Sequence, residues 1–329
     1  MSEVPAPEIR APREVLVRVR AAALNRLDLW MTGGLPNVSP VFPFVVGSDG
    51  AGVVERVGDG VRAVRPGDRV MINPGISCGH CPACVQGEEP LCRDFRILGE
   101  HVPGAAAEYV VVPDENLAPV PEGMGWPEAA GFSLSTLTAW RMLASRARLL
   151  AGETALVWGI GGGVSLAALK IINLLGGRAI VTSGNEVKLE RARELGAAAA
   201  LHHGREDVVA EVRRLTGGRG ADVVVESVGE QTWANSLRAL RKGGRVVVCG
   251  ATTGPSAGFD LRRLFWNQWS ILGSTMGSRR EYAEIVRLAH QGRLWPVVDQ
   301  VVPLAEGVAA YTRMQRGEQT GKLVLEVST

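Results

Sequence analysis

Four cysteines, Cys78, Cys81, Cys84 and Cys92, fall within fifteen residues with the spacing C-x2-C-x2-C-x7-C, in SCGHCPACVQGEEPLC. Four thiolates this close can wrap one tetrahedral ion, and the glycines and prolines between them permit tight knuckles. No further cysteine lies nearby and no ligand position is left open. The set therefore reads as a structural zinc site rather than a catalytic one. An iron–sulfur cluster could use similar ligands. Two disulfides are a further reading, one that a reducing cytoplasm disfavours. His80, inside the loop, reads as a solvated side chain.

A second stretch carries chemistry of another kind. Thr154 to Leu175 reads TALVWGIGGGVSLAALKIINLL. Its start is a short apolar run of the sort that makes a buried parallel strand, and Val164 to Leu175 reads as an apolar helix. Between them stand Gly159, Gly161, Gly162 and Gly163. Strand, glycine turn and helix form a phosphate-binding unit. The glycines let the backbone approach a pyrophosphate, and the helix N-terminus offers free N–H groups and partial positive charge. The spacing is irregular. In G-x-G-x-x-G the third glycine falls on Val164, and in G-x-x-G-x-x-G it falls on Ser165. A glycine-rich turn in some other α/β protein is the alternative, and the elements that follow decide between them.

These elements come in two styles. Residues 14–23 (EVLVRVRAAA) alternate apolar and polar and predict a half-buried strand. Asn25 to Met31 predicts a short helical turn stopped by Gly33-Gly34, and Pro40 to Pro43 a loop. Gly50–Val57, Asp68–Asn73 and Ala106–Val112 predict further strands. Short strands with frequent turns suggest a small antiparallel barrel. From Thr154 onward strands and helices alternate. Strands are expected at 179–183, 197–201, 222–226, 245–249 and 270–274, and helices at 186–195, 206–215 and 231–240. This is the sequence form of a doubly wound parallel sheet. A helix at Arg279–His290 and a few strands in the tail are expected to return to the first domain.

Composition narrows the function. The 329 residues suffice for two domains and a large core, and 46% hydrophobic with 21% charged residues describes a soluble globular protein. A net charge of +2 makes no case for nucleic acid or an anionic membrane. No apolar run is long enough to span a bilayer, and the start, MSEVPAPEIR, lacks the features of a signal peptide. The expectation is a cytoplasmic protein acting on a small molecule.

A barrel-like N-terminal region with a four-cysteine lobe, a dinucleotide domain, and the segment VGSDGAGVVERVGDGVRAVRPGDRV ahead of the lobe coincide in one chain. Together they resemble the medium-chain dehydrogenase/reductase superfamily, which includes zinc alcohol dehydrogenases and quinone oxidoreductases. The resemblance implies an α/β fold: a GroES-like β-barrel catalytic domain at 1–122 and 278–329, its zinc lobe near 77–94, and a Rossmann domain at 123–277. It also implies an active site between them and a homodimer or homotetramer. Relatives begin further upstream of the strand at Glu14, and a missing first hairpin would leave part of the barrel less covered.

The resemblance locates what this chain lacks. Zinc alcohol dehydrogenases hold a second, catalytic zinc by a cysteine in C-x-x-D, a histidine in G-H-E and usually another cysteine. The matching residues here are Asn25 (in Asn25-Arg26-Leu27-Asp28), Ser48 (in Gly47-Ser48-Asp49) and Leu134. Asn and Ser are poor zinc ligands and Leu is none. One zinc per chain is expected, not two. Without a Lewis acid an alkoxide is hard to stabilise. Hydride addition to an enone or quinone asks only for hydrogen bonds to the oxygen that gathers the charge. Asn25 and Ser48 are the expected donors, with Asp28 beside them. Trp30, where several relatives have Tyr, could stack on a flat substrate. Asn25 could instead cap the helix, and Asp28 could be a structural acceptor.

For the cofactor, NAD-specific folds usually place Asp or Glu at the tip of the second strand. Here the strand ends in Ser183, Gly184 and Asn185, with Lys188 in reach. The resemblance puts Ser183, Gly184 and Lys188 around a 2′-phosphate, and His203 where a Tyr often lies against it. NADPH is expected over NADH, although Glu186 argues the other way. Family position adds Thr138, Val228, Gly250, Ser274, Met276 and Lys322 as cofactor contacts. A zinc alcohol dehydrogenase with unusual ligands and a non-catalytic nucleotide-binding protein are the competing readings.

Overall fold

The computed structural model describes residues 3–34 and 41–327. It divides into two compact units: residues up to Leu137 together with Met276 onward, and Thr138–Thr275.

The first unit opens with strands β1 (Glu14–Ala23), β2 (Asp49–Val57), β3 (Arg69–Ile72), β4 (Gly75–Ile76), β5 (Arg96–Ile97), β6 (Tyr109–Pro113) and β7 (Leu117–Pro119). Helices α1 (Arg26–Gly33), α2 (Pro82–Val85) and α3 (Trp126–Trp140) lie among or after them. The chain returns after the second unit with α9 (Arg279–His290), β14 (Val298–Pro303), α10 (Gly307–Gln315) and β15 (Lys322–Glu326), numbered in chain order. The sheet runs β14-β15-β1-β2-β3-β7, with β6 also paired to β1. Strand alternation sends Val15, Val17 and Val19 inward against Val54, Val70, Ile72, Val110 and Val112. Burying each such valine stabilises by about 1.5–3 kcal/mol.

The second unit carries β8 (Thr154–Val157), α4 (Gly163–Leu174), β9 (Arg178–Ser183), α5 (Glu186–Glu194), β10 (Ala199–His202) and α6 (Val208–Leu215). It continues with β11 (Ala221–Glu226), α7 (Glu230–Ala239), β12 (Leu240–Val248), α8 (Leu261–Asn267) and β13 (Ser270–Gly273). Its six strands are parallel in the order β10-β9-β8-β11-β12-β13. That is the doubly wound order, in which the chain reverses direction beside its first strand. Four-residue β8 is wholly buried, as its unbroken apolar run requires.

Most expected elements stand within a few residues of their expected bounds. The strand expected at Ala106–Val112 starts later, at Tyr109, because 103–108 is spent on loop and bends. Pro40, where the expected loop begins, lies outside the described residues. Helix α3 had no sequence signal. It is buried on every side, at Ala129, Ala130, Phe132 and Leu137, and so carries no amphipathic period. The boundary between the compact units falls inside α3 rather than ahead of it, because Ser133 and Leu134 bond to Tyr282 and Asp49 of the first unit. No helix among the described residues is long and apolar enough to cross a membrane.

Candidate active site

Asn25, Asp28, Asp49, Leu134 and Lys322 are joined by hydrogen bonds in the first unit, and buried Ser48 precedes Asp49 in the chain. Asn25 precedes α1, Ser48 precedes β2 and Asp49 opens it, Leu134 lies in α3, and Lys322 begins β15. Antiparallel pairing of β1 with both β2 and β15 sets Ala23 opposite Asp49 and Val324. That register brings positions 25, 49 and 322 to the same sheet end. Lys322 is only 3% exposed; its Nζ donates to Asn25 Oδ1 at 2.6 Å and Asp49 Oδ2 at 2.9 Å. The lysine stem passes Gly131, where a Cβ would meet it at 3.2–3.3 Å.

Asn25 has a different part from the one expected. Its amide hydrogens go to Asp49 Oδ2 (3.0 Å) and the Ala23 carbonyl (3.3 Å), so neither is left for a substrate. Asp49 Oδ1 accepts the Leu134 N–H at 2.7 Å. Asp28 accepts the N–H groups of Asn25 (2.7 Å) and Gly47 (3.0 Å). It is thus the structural acceptor that fixes the start of α1. Burial pushes the Asp28 carboxyl up to about 6, against those two backbone hydrogen bonds and nearby Lys322, which favour its ionised form. Gly47 has φ +96°, and a Cβ there would lie 2.9 Å from the Ala106 nitrogen, so only glycine lets this backbone reach Asp28. Ser48 is 0% exposed and its Oγ has no hydrogen-bond partner. Trp30 is half-buried. Lys322, expected on the cofactor, is held by Asn25 and Asp49.

The four cysteines gather at one point. Their sulfurs lie within 4.8 Å of one another, with Cys78–Cys92 and Cys81–Cys84 at 3.5 Å and Cys78–Cys84 at 3.9 Å. A zinc–sulfur bond of about 2.3 Å puts tetrahedral sulfurs roughly 3.8 Å apart, so the set fits zinc. The backbone N–H groups of His80 and Cys81 pull the Cys78 thiol down to about 6, towards the thiolate a metal needs. Arg279 at the start of α9 ties the lobe down, reaching Ser77 Oγ (2.9 Å), Glu115 (2.7 Å) and Glu89 (3.5 Å). The His80 ring is exposed and bonds to the Cys78 carbonyl.

In the second unit the glycine turn joins β8 to α4. Gly159 and Gly161 take φ +65° and +131°, Gly162 caps α4, and Gly163 and Val164 form its first turn. Val228 lies beside Gly159. A Cβ on Gly161 would strike the Lys188 side chain, and one on Gly184 would meet His203 Nε2 at 3.1 Å. Ser183, Gly184, Lys188 and His203 therefore cluster at the carboxyl end of β9, next to the turn. Burial and neighbouring His202 lower the His203 pKa. Glu186 is exposed and paired with Arg193 at 3.2 Å. Thr138 is buried at the start of this unit, Gly250 follows β12, and Ser274 follows β13 with a buried, unpartnered Oγ. Met276 (φ +48°) belongs to the first unit. Sequence reasoning passed over Glu226. It is buried at the end of β11 and accepts from the N–H groups of Val228 and Gly229 and the hydroxyls of Thr232 and Ser236, holding the loop that carries Val228. A buried acid closing a strand directly after three valines is the signal that marked it.

Residues 11–122 match the family described as alcohol dehydrogenase GroES-like domain, and residues 163–291 the family described as zinc-binding dehydrogenase. An NAD-dependent alcohol dehydrogenase of Sulfolobus acidocaldarius is 31% identical over 96% of this chain and 92% of its own. The chain belongs to the medium-chain dehydrogenase/reductase superfamily. Within this superfamily it is also 33% identical to a crotonyl-CoA carboxylase/reductase of Cereibacter sphaeroides, over 93% of this chain and 78% of that one. A crystal structure titled NAD-dependent alcohol dehydrogenase superposes with a TM-score of 0.94 at 44% identity, covering 99% and 95% of the two chains. The chain is thus an oxidoreductase with the superfamily's GroES-like and Rossmann-type folds.

Proposed function

We propose that this oxidoreductase reduces an α,β-unsaturated carbonyl or a quinone at the expense of NADPH, with a structural zinc and no catalytic one. The observation that carries the reading is the buried Lys322–Asp49–Asn25 cluster. Asn25, Ser48 and Leu134 stand at the superfamily's catalytic-metal positions. The carboxylate they keep is engaged by an ammonium, an asparagine amide and a backbone N–H. Such a set does not fit a tetrahedral zinc. Reduction of a conjugated substrate needs no Lewis acid, and crotonyl-CoA, named in one relative, is an α,β-unsaturated thioester.

Bound NADPH supplies the hydride. The glycine turn and the N-terminus of α4 would hold its pyrophosphate, with Val228 beside them. Ser183, Gly184, Lys188 and His203 would hold the 2′-phosphate, where no acid stands to receive bare ribose hydroxyls. Glu186, turned to Arg193, does not oppose this. Thr138, Gly250, Ser274 and Met276 are proposed around the nicotinamide. Hydride adds at the β-carbon, the alkene electron pair moves onto oxygen, and a solvent proton completes the α-carbon.

The test is zinc per chain by elemental analysis, followed by NADPH oxidation with enones and quinones. One zinc and turnover are expected. Two zincs, with alcohol oxidation in place of enone reduction, would overturn the reading and favour the alcohol dehydrogenase alternative. Tight NADPH binding without turnover of either substrate class would favour the non-catalytic one. We further propose a cytoplasmic homodimer. Its contact would be β13, at the sheet edge, with the exposed Leu261, Phe265 and Trp266 of α8 and Ile271.

A further inference from the structure

The constellation around Lys322 is short of one acceptor. Asp49 accepts from Lys322, Asn25 and Leu134, and Asn25 Oδ1 accepts from Lys322. The donors are not all matched. An ammonium has three N–H groups, and the two bonds of Lys322 Nζ leave the third without a partner among the described residues. Ser48 Oγ, on the residue before Asp49, is fully buried with none. A buried donor left unpaired is costly, and two such donors, one on Lys322 and one on the residue preceding its partner Asp49, call for an acceptor from outside the fold.

We infer that Lys322 and Ser48 are catalytic residues that together hold the substrate's carbonyl oxygen, Lys322 supplying the positive charge at this site. This deepens the reductase reading and rests on it. As hydride and its electron pair enter the β-carbon, the alkene pair forms the enolate and negative charge collects on oxygen. The ammonium and the hydroxyl hydrogen-bond to that oxygen. Asp49 and Asn25 keep Nζ in place, so little reorganisation is needed as the charge appears. Collapse of the enolate takes a proton from water at the α-carbon, and Lys322 and Ser48 end as they began.

The test compares wild type, Ser48→Ala and the pair Lys322→Gln with Asp49→Asn, which removes both charges and keeps the cluster neutral. Zinc content and thermal melting serve as folding controls. Crotonate binding to the NADP+-loaded protein is measured by calorimetry, the carboxylate standing in for the charged oxygen. Crotonate affinity is expected to fall about 10- to 100-fold in the charge-free pair and about three- to tenfold in Ser48→Ala. The single-turnover rate with an enone is expected to fall about 10²- to 10³-fold in the pair, with KM changed far less. Crotonate that binds equally to all three proteins, or not at all to wild type, overturns the inference. Lys322-dependent crotonate binding without hydride transfer to any enone or quinone sustains it and overturns the reductase reading instead.

Discussion

Lys322 and Asp49 are 3% and 0% exposed, and at such burial each charge depends on the other. Removing only the ammonium, as in Lys322→Met, leaves an uncompensated carboxylate. The expected loss is about 3–5 kcal/mol in denaturant unfolding, and adding Asp49→Asn should return much of it. Asp28 behaves differently because burial outweighs its two backbone N–H partners. Its folded pKa, about 6, lies above the ordinary aspartate value of 3.8. The native state therefore binds more protons than the unfolded chain between those values. The associated stability is fully present below about pH 4 and is lost as pH rises through about 6. Unfolding free energies at pH 4 to 7 should show this decline in wild type and a flatter profile in Asp28→Asn. Parallel profiles would contradict the assignment.

Elements carry these residues to their places, and they differ in how readily the sequence shows them. The gathering of the four cysteines was legible because they lie within fifteen residues, where spacing is a direct measure of distance. The β8–turn–α4 unit was legible for the same reason. Lys322 was named by family position alone and its bond to Asn25 was not legible, since 297 positions separate the two and the β1–β15 pairing brings them together. The part Asn25 plays was equally hidden, because its amide is spent on a carboxylate from another strand. Helix α3 was silent for want of a polar face. At the end of β9 the prediction concerns selectivity. Lys188→Ala should weaken NADPH about tenfold or more, the worth of a charged hydrogen bond, and leave NADH nearly unchanged. Fluorescence titration with both cofactors measures it, and an equal loss for both would remove Lys188 from the 2′-phosphate.

At the scale of the whole molecule, β13 ends its sheet with one edge unpaired among the described residues, and α8 beside it buries none of its side chains. If this face joins two copies, Trp266→Glu with Ile271→Lys should halve the mass seen by light scattering while the zinc content stays the same. The first unit is also discontinuous, with residues 138–275 inserted between its parts. A ribosome makes the whole Rossmann-type unit before it makes Lys322. Until β15 arrives beside β1, Asp49 and Asn25 have no ammonium between them, and the barrel lacks the strand that Ala21, Ala22 and Ala23 pair with. The nascent chain therefore completes its Rossmann-type unit first and cannot close the Lys322–Asp49–Asn25 cluster until β15 has been made.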